Sequence, residues 1–393
     1  MGALDGLKIL DFSTLMPGPA ATMSLADMGA DVLKVSSRKR VDLVLAGGNV
    51  VDGTQVRELE ATIDRNKRSI TLDLKKDEAK RIVKRLVSEY DIVVEQFRPG
   101  VMERLGLGYE ELKRVNPRVI YVALTGYGQD GPLAMRAGHD INYLARSGLI
   151  SYAGRPGQLP SCWGTQVADL GGGTMNVIIG ILAAVISRQR TGVGQFVDIS
   201  MYDCSLFYTL GISAKAIVSG YEPRPGTERT SGAGMYDYYE TKDGRYFSVG
   251  AMEPKFWKNF CDAMGLDDLI EGGCNPLNPE RSKEKVRAAF ASLTFEEACE
   301  KFASLDACVE PVLNYDEVLS DVHANARKMF VDVPVEGSGV TIKQLASPIK
   351  FSATPNVYRF AANPVGHDTE DVLRSLGYAP EEICRFAESG VLD

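Results

Sequence analysis

The sequence predicts an α/β protein: a doubly wound parallel sheet joined to a second, smaller α+β domain. Three observations carry this. The first third alternates strand-like apolar runs with helix-length segments at spacings that suit parallel crossovers. Residues 219–234, SGYEPRPGTERTSGAG, shift toward Gly, Pro, Ser and Thr, as expected of a linker or mobile loop. Beyond it a hairpin pattern precedes helical segments and short strands. The expected division is a large domain over 1–220, a small domain over 221–330 and a C-terminal segment over 331–393.

LKILDFS reads as the first strand, and PGPAATMSLADMGA as a helix opened by Pro17 and closed by Gly29. DVLKVSS and RSITLDL are the next strands. The charged amphipathic stretch 76–90 then leads into YDIVVEQF, and a helix near 109–115 into RVIYVALT. Strand, crossover and strand in this order place ligands near the carboxyl ends of the strands. GGGTMNVIIGILAAVISRQR, residues 171–190, is a long apolar helix whose small residues suit close packing, and GQFVDISMYDCSLF runs from strand to helix. MYDYYETKDGRYFSVGA predicts a hairpin turning at Lys242-Asp243-Gly244. Helices follow over about 254–305, short strands near 308–347, and two short helices close the chain.

With 393 residues, 45% of them hydrophobic, the chain can bury a large core and reads as a soluble globular protein. Lys and Arg number 44 against 52 Asp and Glu, a formal charge of −8 without like-charge blocks, which argues against nucleic acid as a partner. No run of eighteen apolar residues argues for a membrane span, and MGALDGLKILDFS carries charges where a signal peptide needs apolar residues. The seven cysteines are scattered without CxxC spacing, so neither a zinc site nor a disulfide framework is implied, and a reducing cytoplasm is the simplest location.

GYGQDG at 126–131 matches a dinucleotide fingerprint, but Pro132 follows where that motif must open a helix, so a loop lining another ligand is the better reading. The basic segments SSRKR (36–40) and RNKRSI (65–70), with Arg98, all lie at strand ends. Together they suit a phosphorylated ligand such as a nucleotide or coenzyme A, whereas any one of them alone reads as solvated surface charge. In AGHDINYLARSG, His139 is either a working base or a polar residue opening a helix. Asp169, ahead of a glycine run, reads first as an N-cap, and Glu253, ahead of Pro254, as a helix-start acid.

DFSTLMPGPAATMSLADMGADVLKV, RNKRSITLDLK, RPGVMERLGLG, LTGYGQDGP, AGHDINYLARSG, ADLGGGTMNVIIGILAA, GRYFSVGAMEP and DACVEPVL occur in that order. In this the chain resembles the family III coenzyme A-transferase superfamily (CaiB/BaiF), most closely its α-methylacyl-CoA racemase branch. The resemblance implies a Rossmann-like large domain containing both chain ends, a small domain and an interlocked homodimer. It implies that His139 is the racemase base, Asp169 the opposing acid and Glu253 the glutamate that orients the imidazole. It places Asp140 and Tyr143 beside them, and Arg38 and Arg98 on the coenzyme, with Arg65 and Tyr143 also counted as coenzyme contacts. TSGAGMYDYY departs from the Asp-Gly-Gly stretch common in racemases, which bears on the acyl pocket.

Inverting a carbon next to a thioester needs a proton removed from one face and returned to the other. His139 would accept it and a protonated Asp169 would donate, which requires burial to raise the Asp169 pKa. N–H groups at the helix starts of Asp140 and Asp169 would stabilise the enolate oxygen. The implied substrate is a 2-methylacyl-CoA, with no metal and no cofactor beyond the coenzyme it carries. In the alternative, Asp169 is the nucleophile of a coenzyme A-transferase. In a third reading the chain is a silent acyl-CoA-binding protein.

Overall fold

The computed structural model describes residues 2–39 and 42–392. Arg40 of the basic segment 36–40 therefore lies outside the described residues. The chain divides into two compact units, the first comprising Met1–Leu144, Gly164–Phe207 and Val322–Asp393, the second Ala145–Trp163 and Tyr208–Asp321.

The first unit is built on β1 (Lys8–Asp11), β2 (Asp31–Ser36), β3 (Lys67–Thr71), β4 (Ile92–Glu95), β5 (Ile120–Thr125) and β6 (Phe196–Ser200). All pair in parallel, in the order β3-β2-β1-β4-β5-β6. The order reverses between β1 and β4, the crevice position at which such sheets take ligands. The central strands are buried on both faces, so they read as continuous apolar runs rather than alternating ones. Helices α1 (Pro17–Asp27), α2 (Glu58–Ile63), α3 (Asp77–Leu86), α4 (Val101–Arg104) and α5 (Tyr109–Val115) lie between strands β1 and β5. One face of the sheet packs Leu10, Leu33, Ile70, Val93 and Tyr121 against Ile82, Val83 and Leu86 of α3 and against Leu373 of the C-terminal helix Thr369–Ser375. A two-stranded antiparallel ribbon, Phe330–Pro334 with Thr341–Leu345, also belongs to this unit.

Between β5 and β6 the chain forms α6 (Asp140–Arg146), a π-helix at Val167–Thr174, and α7 (Met175–Thr191), then enters α8 (Met201–Phe207) after β6. The helix therefore begins four residues before the expected residue 171, and its first two turns are widened. By length and hydropathy Val167–Thr191 could cross a membrane. In the fold α7 packs instead on β5, β6 and α1 through Val177, Ile178, Ile181, Ala184 and Val185.

The second unit has a three-stranded antiparallel sheet, Asp237–Glu240, Tyr246–Val249 and Val309–Pro311, with the expected hairpin turning through Gly244 at φ +78°. Its core stacks Tyr239, Phe247, Phe260, Phe290 and Phe302 beside Trp257, whose indole N–H donates to Leu269 O. The stretch 219–234 is more ordered than a linker. Glu228 accepts from Lys215 (3.0 Å), and its backbone N–H is capped by Ser231, folding a short 3-10 turn at Arg229–Ser231.

Candidate active site

α6 starts at Asp140, so His139 is its N-cap residue, exposed at the end of the loop that follows β5. The backbone on either side is held. The His139 N–H donates to Asn142 Oδ1 (3.0 Å), and the Tyr143 hydroxyl donates to Gly138 O (2.6 Å). Tyr143 is buried and meets Tyr127 edge to face, 5.2 Å between ring centres. Its ring lies directly on two glycines: a Cβ at Gly126 would sit 2.5 Å from the Tyr143 hydroxyl oxygen, and one at Gly138 2.7 Å from its Cε1. The first glycine of GYGQDG is thus required by a tyrosine ring, not by a pyrophosphate.

Asp140 reaches across to the π-helix. Its Oδ1 accepts from Ala168 N (2.6 Å) and Asp169 N (3.0 Å), so Asp140 caps that helix from 28 residues away. Two expectations are corrected here. Asp169 is not an N-cap, because it occupies the third position of the helix and the N-cap residue is Gln166. Nor are the N–H groups of Ala168 and Asp169 open to an anion, because the Asp140 carboxylate already takes both. Donors without a partner among the described residues are instead the N–H groups of Asp140 and Ile141, the first two of α6.

The Asp169 carboxyl is partly buried, and its Oδ1 has no hydrogen-bond partner among the described residues. Burial pushes its pKa from 3.8 up to about 6; the Asp140 charge adds to this, and His139 opposes it. The Asp169 charge in turn is one of the causes, after burial, that raise the Tyr143 hydroxyl well above its ordinary range. His139, Asp140, Tyr143 and Asp169 are therefore brought together in the first unit. Glu253 belongs to the second, an exposed residue at the start of the helix Pro254–Met264, its side chain without a hydrogen bond among the described residues.

The first unit also holds a cavity of about 750 Å³ walled by the residues that follow β1 to β4, among them Phe12, Thr14, Ser36, Leu72 and Phe97. Arg38, Lys39, Arg57, Lys75 and Arg104 line it against three acids, Asp42, Glu60 and Asp73, while the buried Lys34 in the same wall is paired with Asp64, so the wall is cationic in an acidic chain. Arg38, just beyond β2, lies in this wall. Arg98 is exposed on the loop beyond Phe97 and is not part of the lining. Arg65 is a correction: its guanidinium is buried, paired with both oxygens of Asp27 (3.0 and 2.7 Å) and donating to Gln344 Oε1 and Leu345 O, which leaves no surface for a ligand. Tyr143 likewise spends its hydroxyl internally. Arg57 and Arg104 carry no sequence signal of their own, whereas Lys75, just beyond β3, satisfies the same strand-end criterion. Among the described residues no three His, Cys, Asp or Glu side chains gather as a metal site.

Comparison with known proteins gives this arrangement its context. The family model described as CoA-transferase family III matches residues 4–369. The chain is 34% identical over 394 residues to an alpha-methylacyl-CoA racemase of Homo sapiens, covering 100% of this chain and 98% of that one. It is 31% identical over 391 residues to the succinyl-CoA--L-malate CoA-transferase beta subunit of Chloroflexus aurantiacus, covering 97% and 96%. A CAIB/BAIF family protein from Brucella suis superimposes with a TM-score of 0.82 at 27% identity, covering 95% of this chain and 99% of that one. Related along essentially its whole length to both racemases and transferases, the chain is an enzyme fold of known kind and belongs to the CoA-transferase family III.

Proposed function

We propose that this protein is an isomerase that inverts the α-carbon of 2-methylacyl-CoA thioesters by proton transfer through an enolate. The observation that carries the reading is the Asp169 carboxyl, raised to about 6 and with an unpartnered oxygen, beside His139 at the start of α6. In one direction neutral His139 takes the α-proton, and protonated Asp169 gives one to the opposite face. In the other direction the two exchange roles. The N–H groups of Asp140 and Ile141 are the donors available to the enolate oxygen. Such a donor contributes about 2.7 to 4 kcal/mol to barrier lowering. Glu253 enters through resemblance, as a carboxylate of the kind that orients an imidazole.

The cationic cavity suits the phosphates of coenzyme A, with Arg38, Arg57, Lys75 and Arg104 as point and fork donors. Coenzyme A is then part of the substrate, and the proposed chemistry uses no further cofactor. A homodimer belongs to the same reading: α7 exposes Met175, Ile179 and Ile186, which repeat along one helix face, a stripe suited to cover by a second copy. Sedimentation at micromolar concentration tests the dimer.

A second reading has a specific observation behind it. An unpartnered Asp169 oxygen also suits a nucleophile that attacks a donor thioester, and transferases are among the relatives. Incubation in D2O with a single chiral 2-methylacyl-CoA separates the two. The isomerase washes deuterium into the α position and, from the enantiomer whose proton His139 takes, loses this with His139→Ala. The transferase needs a second carboxylic acid, and hydroxylamine traps its Asp169 intermediate. Exchange from that enantiomer that survives His139→Ala at the wild-type rate rules out the proposed base.

A further inference from the structure

We propose that Asn176 is a positioning residue for Asp169: its side-chain amide holds Gly172 O, and with it the widened helical turn that presents Asp169 beside His139. The inference rests on the acid–base reading above.

The π-helix Val167–Thr174 runs directly into α7. Widened turns of this kind are rare and occur mostly at functional sites. This one is pinned at both ends. Upstream, Ala168 and Asp169 donate to the Asp140 carboxylate. Downstream, the buried Thr174 hydroxyl donates to Pro17 O (2.7 Å), and α7 is seated on the sheet by its apolar face. One residue of register equals about 100° around a regular helix axis. A regular continuation of α7 would therefore swing Asp169 away from His139 and pull its N–H off Asp140.

The proposed device is a side-chain donor to one carbonyl of the turn, Gly172 O. In a regular helix Gly172 O is reserved for a backbone N–H four residues on. Here residue 176, four residues on, sends its side-chain Nδ2–H to that oxygen (2.8 Å), and the Met175 N–H also points to it. Gly173 is closely packed here, since a Cβ there would lie 3.1 Å from Met201 Cγ and 3.3 Å from Leu124 Cδ1. Asparagine is a poor residue for a helix interior, yet a half-buried Asn176 stands among Met175, Val177 and Ile178.

The test compares Asn176→Leu with Asn176→Ser. Serine can donate to the carbonyl four residues back, as Ser24 does to Ala20 O (2.9 Å) and Ser205 to Met201 O (2.7 Å). Asn176→Leu is expected to lower kcat for inversion of the α-carbon by roughly 30- to 100-fold with KM within about twofold, the signature of a misplaced group rather than lost binding. Asn176→Ser is expected to recover most of it. Asn176→Ala replaces the leucine variant if that one does not fold. A kcat within about twofold of wild type for the leucine or alanine variant, or a serine variant as impaired as they are, overturns the proposal. A second readout needs no turnover: the Asp169 carboxyl followed by 13C NMR titration and identified by its loss in Asp169→Asn. Its midpoint should fall in Asn176→Leu and hold in Asn176→Ser. An unmoved midpoint overturns the positioning claim. A wild-type enzyme without exchange overturns the acid–base reading instead.

Discussion

Replacing Asp169 by asparagine should stabilise the first unit at neutral pH while removing the proposed acid. The carboxyl is held at about 6 against 3.8 in a model environment, chiefly by burial and then by the Asp140 charge. A raised carboxylate pKa contributes stability that is present below the unfolded value and lost as pH rises through the folded one. Above pH 7 the wild-type fold therefore carries the cost of an ionised Asp169. About 2.2 pKa units at 1.36 kcal/mol each bound this cost at about 3 kcal/mol; with the site partly open to water, about 1.5 kcal/mol is the working figure. Asparagine keeps the shape and the backbone N–H that Asp140 accepts, and drops the charge.

Urea unfolding followed by far-UV circular dichroism at pH 7.5 and pH 5 measures this. The variant should be the more stable at pH 7.5. About half the gap should remain at pH 5, because that pH lies between the two pKa values. A gap equal at both pH values, or a variant less stable than wild type at pH 7.5, refutes the assignment of a costly buried charge to this residue. Inversion of the α-carbon, measured alongside, should be lost, the stability–function opposition expected of a functional carboxyl.

Three further perturbations follow from the same geometry. Asp140→Ala removes the cap on Ala168 and Asp169 and should cost about 1–2 kcal/mol in the same unfolding assay, whereas Asp140→Asn keeps an acceptor and should cost much less. Arg65→Ala leaves Asp27 buried without its bidentate partner and should lower stability by about 3–5 kcal/mol, with thermal scanning as the check; Arg65→Lys should not rescue the fork. Gly126→Ala drives a methyl into Tyr143 and should cost about 1–3 kcal/mol, with kcat for exchange falling more than the coenzyme affinity.

Parts of this were legible in the residue order because the physics is local. Parallel strands buried on both faces must be continuous apolar runs, so β4 and β5 stand out, and Arg38, which follows a strand end, lies in the cavity wall. Other parts depend on partners far along the chain. Arg65 shows its charge in the sequence, but not Asp27, 38 residues earlier, which consumes it. The GGG run looks like the start of a helix, yet the helix begins at Val167 because Asp140 caps it from 28 residues away. No periodicity announces the widened turn, whose hydrogen-bond partners at its two ends, Asp140 and Pro17, lie 28 and 157 residues away along the chain.

The pairing of Asp140 with Asp169 shows how one fold gives two carboxylates different work. Backbone N–H groups converge on Asp140 and commit it to structure. Its charge then adds to the burial of Asp169, whose remaining oxygen has no donor. With a pKa of about 6, roughly one Asp169 carboxyl in eleven is protonated at pH 7, against about one in 1,600 at the ordinary value. That protonated share matters only to a group that must donate. From the enantiomer whose proton goes to His139, the rate of inversion should therefore fall on the alkaline side of the Asp169 titration; from the other enantiomer, on the acid side. A nucleophilic Asp169 attacks only when ionised, so a transferase rate falls on the acid side alone. Lowering the Asp169 pKa through Asp140→Asn should move whichever limb is present to lower pH. Mirrored limbs for the two enantiomers support proton transfer through this residue, and a single acid limb excludes it.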